Sequence, residues 1–220
     1  FIVLADADLE EAAKTGARAR LQNAGQSCIA AKRFIVVQSK VKIFTELLKK
    51  DFAQKVVGDG NNEKTDVGPL ATKKILAGVD EQVTKSIALG AKVVIGGKRL
   101  ERDGYFYEPT ILIGGKKGMP VVDEEVFGPV ATIIVAKDEE DAIRIANDTP
   151  YGLGASLWTK SIARAKRLIP QIISGSVFVN DMVKSDPRLP FGGVKRSGYG
   201  RELSGFGLRE FTNIKTVYIK

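Results

Sequence analysis

Histidine does not occur in this chain of 220 residues, and cysteine occurs once, at Cys28. Without histidine the chain has no imidazole general base and cannot build a Cys–His or Ser–His–Asp arrangement by itself. A single cysteine excludes an internal disulfide framework and, with no histidine, a structural zinc site, so no metal is expected. It also suits a reducing, cytoplasmic setting. No apolar run is long enough to span a bilayer, and residues 1–13 lack the basic-then-apolar order of a secretory signal, so no membrane partner is expected. The net charge is +8, yet Lys and Arg are interleaved with acidic residues, as in Glu46–Asp51 and Glu139–Arg144. With no basic stripe threaded by aromatics, this reads as a solvated surface and not as a nucleic-acid interface. The chain opens on Phe1, and Phe1–Leu4 looks like a strand already under way, so it is expected to be a piece of a longer protein.

What remains is an alternation of helical and strand patterns. Asp6 or Asp8 caps an alanine-rich helix to about Leu21. Val41, Phe44, Leu47, Leu48 and Phe52 give a helix over about 40–55, and Thr72–Leu89 gives another, stopped by Gly90. Helices over Glu139–Asn147 and Ile162–Ile169 end before prolines. Strands are expected at Lys32–Val37, Lys92–Ile95, Tyr107–Ile113, Val130–Val135, Leu153–Trp158, Ser176–Val179 and Ile214–Ile219, with a long loop over Asp181–Gly200 and a short helix over Arg201–Phe211. The order implies an α/β domain with a largely parallel sheet flanked by helices. The last strand has no helix after it and suits pairing with a sheet edge on another subunit.

Three segments carry chemistry. Gln22-Asn23-Ala24-Gly25-Gln26-Ser27-Cys28 sets the one thiol behind small, polar, flexible residues, where a loop fits better than a core. A thiol is mostly protonated at neutral pH, so a nucleophilic Cys28 needs a carboxylate, an activated water or an outside group as base. The alternative is a small buried apolar residue, the commoner fate of a free cysteine. Glu124-Glu125-Val126-Phe127-Gly128-Pro129 places carboxylates beside an aromatic and a turn, which suits sugar hydroxyls and a planar ring, or simply a solvated turn over a core phenylalanine. Pro190–Glu202 holds four glycines and matches neither a Walker loop nor a Rossmann fingerprint.

The order and spacing of these segments resemble the aldehyde dehydrogenase superfamily, as do Thr65-Asp66-Val67-Gly68-Pro69-Leu70, Tyr151-Gly152-Leu153 and the ending Phe211–Val217. The resemblance covers essentially the whole chain. It implies an enzyme in which Cys28 attacks an aldehyde to form a thiohemiacetal, hydride passes to NAD or NADP, and the resulting thioester is hydrolysed to an acid. It implies that the Cys28 N–H faces the oxyanion, that Glu125 binds the nicotinamide ribose, and that Phe127 packs near the nicotinamide. Ile29 and Phe191 then face the aldehyde channel, and Cys28, Glu125 and Phe191 converge on one cleft. The resemblance further implies a catalytic domain over 1–200 and a helix and oligomerisation strand over 201–220, giving a homodimer or homotetramer. The family's nucleotide-binding domain and glutamate base precede this region, so the chain alone is expected to be inactive. The stretches Asn23–Arg33 and Val183–Gly193 look like the succinate-semialdehyde branch, where Ser185 or Arg188 would meet a substrate carboxylate. Gln22 departs from that branch, in which some members carry an arginine there. Lactaldehyde, glyceraldehyde and acylating dehydrogenases therefore stay open, as does a non-catalytic basic α/β binding module.

Overall fold

The computed structural model describes residues 1–220. The strands are β1 (Ile2–Val3), β2 (Arg33–Val37), β3 (Lys92–Ile95), β4 (Thr110–Ile113), β5 (Val130–Ala136), β6 (Gly154–Trp158) and β7 (Ser176–Val179). The helices are α1 (Leu9–Leu21), α2 (Val41–Ala53), α3 (Lys73–Ala88), α4 (Pro120–Asp123), α5 (Glu139–Asn147), α6 (Ile162–Leu168) and α7 (Ser204–Glu210). They form one seven-stranded sheet in the order β3-β4-β5-β2-β1-β6-β7. Every neighbouring pair is parallel except β3 with β4. The α/β expectation therefore holds, and the opening strand lies in the middle of the sheet, between β2 and β6.

Parallel strands covered on both faces read as continuous apolar runs. Phe34, Ile35, Val36 and Val37 of β2 are all buried, each stabilising the fold by about 2 kcal/mol. The alanine-rich face of α1 lets that helix lie close over the sheet: a Cβ at Gly16 would stand 2.9 Å from the Phe34 ring. Local signals set the helix starts, with Asp8, Thr72 and Asp138 each accepting from an amide of the first turn. Arg33, at the head of β2, donates to the carbonyls of Ile145 and Ala146 at 3.0 and 2.8 Å. That contact pins the C-terminal end of α5 beneath the start of β2, where a cation suits the helix dipole.

The segment over Ile214–Ile219, expected to pair with a sheet edge on another subunit, forms no ladder within the chain, and Phe211, Ile214, Val217, Tyr218 and Ile219 are exposed. A strand needs a neighbour for its amides, and no sheet edge of this chain supplies one. No helix is long and apolar enough to cross a membrane.

Candidate active site

The approach to Cys28 is a backbone turn of unusual hand. After α1 the chain passes through the left-handed region three times, at Asn23 (φ 50), Ala24 (φ 53) and Gly25 (φ 77). Asparagine tolerates this; Ala24 does so at a cost of about 1–2 kcal/mol. The turn is held from inside and outside. Asn23 Nδ2 donates to the Gln26 carbonyl at 2.8 Å, and Gln26 Oε1 accepts from the Ala71 amide at 2.8 Å. At Gly25 a Cβ would lie 2.1 Å from the Gly128 carbonyl oxygen, so no side chain fits. This close approach presses the Glu125–Gly128 segment against the cysteine turn. Strain kept so near a single thiol is the kind found at functional sites.

Cys28 is exposed, which removes the reading of it as a small core residue. Its turn is closed by the Ala30 amide donating to the Ser27 carbonyl at 3.1 Å, while the amides of Cys28 and Ile29 have no acceptor in the chain. Lys32 lies beneath. Its Nζ donates to the carbonyls of Ser27, Cys28 and Ala30 at 3.1, 3.2 and 3.2 Å and stands 3.4 Å from Glu125 Oε1. The lysine side chain is 17% exposed and the Glu125 side chain 43%. Burial pulls the Lys32 ammonium down to about 8, with neighbouring Arg20 adding to the effect and Glu125 opposing it. Arg20, wholly buried at the end of α1, donates Nη2 to the Gly25 carbonyl. Its Nε and Nη1 have no partner, and neither does the buried amide nitrogen of Gln22. Burial holds the Arg20 guanidinium below its ordinary value, and Glu125 partly offsets that.

Cys28, Ile29, Lys32 and Glu125 line one cleft of about 360 Å³. Its walls come from Phe1 and Ile2, Lys32 and Arg33, and Gly152–Ala155, so it opens at the amino ends of β1, β2 and β6. Ligand crevices of open α/β sheets usually lie at the carboxyl ends; this one lies at the opposite edge. Glu125 also borders a second groove of about 300 Å³, lined by Phe127 and by Gln82 of α3. Gln82 Nε2 donates to Glu124 Oε2 at 2.9 Å and to the Glu125 carbonyl at 3.3 Å, tying that segment to α3.

The structure thus brings Cys28, Ile29 and Glu125 together, with Phe127 on the adjoining groove. It does not bring in the other three residues. Ser185 is exposed outside the cleft lining. Arg188 forks onto its neighbour Asp186 at 2.9 and 2.6 Å. Phe191 is half-buried in a backbone bridge with Glu202, at 2.8 and 2.7 Å, and does not line the cleft. The same loop supplies Val183, Arg196 and Ser197 instead. Sequence reasoning passed over Lys32 and Arg20. A signal for Arg20 existed: it follows Gly16 and Ala17 by four and three residues, on the apolar face of α1. For Lys32 the only signal was a basic pair opening an apolar strand.

Comparison with known proteins agrees with this geometry. The sequence profile of the Aldehyde dehydrogenase family matches residues 1–217. A probable succinate-semialdehyde dehydrogenase [NADP(+)] of Synechocystis sp. is 51% identical over 219 residues, which is 100% of this chain and 48% of that protein. The succinate-semialdehyde dehydrogenase [NADP(+)] of Mycobacterium leprae is 50% identical over 222 residues, again 100% and 48%. A solved succinic semialdehyde dehydrogenase of Streptococcus pyogenes, in complex with NADP+, superposes with a TM-score of 0.96 at 41% identity, covering 100% of this chain and 48% of that one. The chain spans about half the length of these relatives.

Proposed function

The chain belongs to the aldehyde dehydrogenase family, and from that premise we propose that it forms the nucleophile-bearing part of an enzyme oxidising succinate semialdehyde to succinate. One observation carries the reading: an exposed Cys28, with its own amide free of any acceptor, opens on the same cleft as Glu125. The thiolate adds to the aldehyde carbon, and the free Cys28 N–H donates to the oxygen that takes up the charge. A bound nicotinamide supplies the hydride acceptor, which turns the thiohemiacetal into a Cys28 thioester. Water then releases the acid and returns the thiol; the base for that step is assigned to the glutamate of the family's preceding segment.

Residues of this chain fit the dinucleotide. Glu125 offers half-exposed carboxylate oxygens beside the groove lined by Phe127, which suits ribose hydroxyls next to a planar ring. The NADP(+) in the names of the two relatives favours NADP over NAD. The remote carboxylate of the substrate is assigned to the loop over 181–200, where Ser185 and Arg188 stand and from which Arg196 reaches the cleft. The bare apolar row from Phe211 to Ile219 is assigned to the sheet edge of another copy, giving a homodimer or homotetramer.

The test is NADPH or NADH formation by the complete protein carrying this chain, with succinate semialdehyde and neutral aldehydes, against its Cys28→Ala variant. Cysteine-dependent turnover that prefers succinate semialdehyde is expected. Turnover that survives Cys28→Ala overturns the mechanism, and a preference for lactaldehyde or a demand for coenzyme A overturns the substrate or the product.

A further inference from the structure

Lys32 donates more hydrogen bonds to the cysteine turn than any other side chain, and none of them ends on the reacting sulfur. Its three bonds all end on carbonyl oxygens, those of Ser27, Cys28 and Ala30. A peptide unit is planar and trans, so its C=O and N–H point in opposite directions. Drawing the Ser27 carbonyl onto the ammonium therefore turns the Cys28 N–H away from Lys32, and drawing the Cys28 carbonyl does the same for the Ile29 N–H. Both amides are left without an acceptor in the chain, in a turn whose residues line the cleft. The Ala30 amide folds back on Ser27, and the helix and strand on either side stop short of the turn.

We infer that Lys32 is a positioning residue: its ammonium gathers the turn's carbonyls so that the Cys28 and Ile29 amides face a developing oxyanion, and its contact with Glu125 sets that carboxylate at the rim of the same cleft. The inference rests on the reading of Cys28 as an acyl-forming nucleophile. Preorganised donors of this kind act without reorganising during the reaction, and deleting one outright costs 10²- to 10³-fold in typical cases. Loosening their aim costs less, on the order of tenfold. Lysine suits the task because a compact ammonium with rotatable donors can meet three converging carbonyls, whereas a flat guanidinium cannot.

The test separates oxyanion stabilisation from thiol reactivity. In acylation by p-nitrophenyl acetate the Cys28 sulfur bonds to the acyl carbon, a tetrahedral oxyanion forms, and p-nitrophenolate leaves with the bonding pair. In alkylation by iodoacetamide the same sulfur displaces iodide and no oxyanion forms. Both rates are measured on the complete protein without cofactor, for the wild type and for Lys32→Met, Lys32→Arg and Lys32→Gln. The ratio of acylation to alkylation is expected to fall at least tenfold in Lys32→Met and less in Lys32→Arg. Should Lys32→Met not fold, Lys32→Gln gives the second measurement, with at least a threefold fall expected. An unchanged ratio, or equal loss of both rates, overturns the proposal. Wild-type protein that is acylated but oxidises no aldehyde removes the dehydrogenase reading and leaves the ratio readable; wild-type protein that is not acylated at all overturns both.

Discussion

The two ends of the parallel strands are built on opposite terms. At the carboxyl end of β1 and β6 the side chains of Asp6, Thr159, Asn180 and Arg164 are all paired. Thr159 Oγ1 donates to Asp6 at 2.9 Å and accepts from the Ser161 amide at 3.1 Å, and Asn180 closes both backbone groups of Thr159 at 3.0 and 2.9 Å. Arg164 bridges Asp6 and Glu139 at 2.7 and 3.0 Å, and Arg167 joins from the same helix. At the amino end a wholly buried arginine has two idle nitrogens, a lysine is pulled below its ordinary value, and an alanine sits in left-handed backbone. Buried polar groups without partners weaken a fold. The comparison teaches that one end of the sheet secures the structure, while the other keeps unpaired and strained groups around its cleft.

The largest effect isolates chemistry from structure. Cys28→Ala should lower turnover by about 10⁴-fold or more with an unchanged melting temperature, because the side chain is exposed. A large loss of stability would mean that the thiol holds the turn. Next comes Gly25→Ala, which puts a methyl group against Gly128 backbone at a φ of 77. It should destabilise by about 3 kcal/mol in denaturant titrations and abolish Cys28 alkylation at its native rate.

Charge removal should then have opposite signs at the two ends. Arg20→Met takes away a buried cation with idle donors and should leave stability unchanged or raise it by about 1 kcal/mol while slowing turnover. Asp6→Ala breaks a satisfied network and should lower stability by about 1 kcal/mol while leaving turnover intact. Equal signs would erase the distinction between the ends.

The smallest effects are in pH. Lys32 is pulled by burial from its ordinary 10.5 to about 8, so between those values the unfolded chain holds a proton that the folded one has released. Stability from this group should therefore rise with pH across that window, and Lys32→Met should flatten the rise. Burial pushes Asp6 up, but the Thr159 hydrogen bond and the Arg164 cation outweigh it, leaving the carboxyl below its ordinary value. Its contribution is fully present above its ordinary value of 3.8 and lost as pH falls further. Thermal melts across both ranges, on wild type, Lys32→Met and Asp6→Ala, check the pair.

Much of this was legible in the residues. Period and capping gave α1, α2, α3 and α5 to within a residue or two, because each signal lies inside the element it predicts. The motifs pointed to Cys28 and Glu125, which line the same cleft. What escaped the sequence was made by contacts between distant segments. Gly25 meets Gly128, Lys32 meets Glu125, and Arg188 turns to Asp186 instead of the cleft. The terminal segment forms no ladder within the chain because the neighbour expected for it lies on another subunit.

The contact of Gly25 with Gly128 joins two stretches about 100 residues apart with no side chain between them. Closing a loop of that length costs entropy before its contact gives anything back, so such a contact forms late. The cysteine turn is therefore expected to reach its final geometry when the Gly128 segment ahead of β5 docks. During refolding, native-rate alkylation of Cys28 should return after helical signal has recovered, which makes the thiol a clock for the last step of assembly.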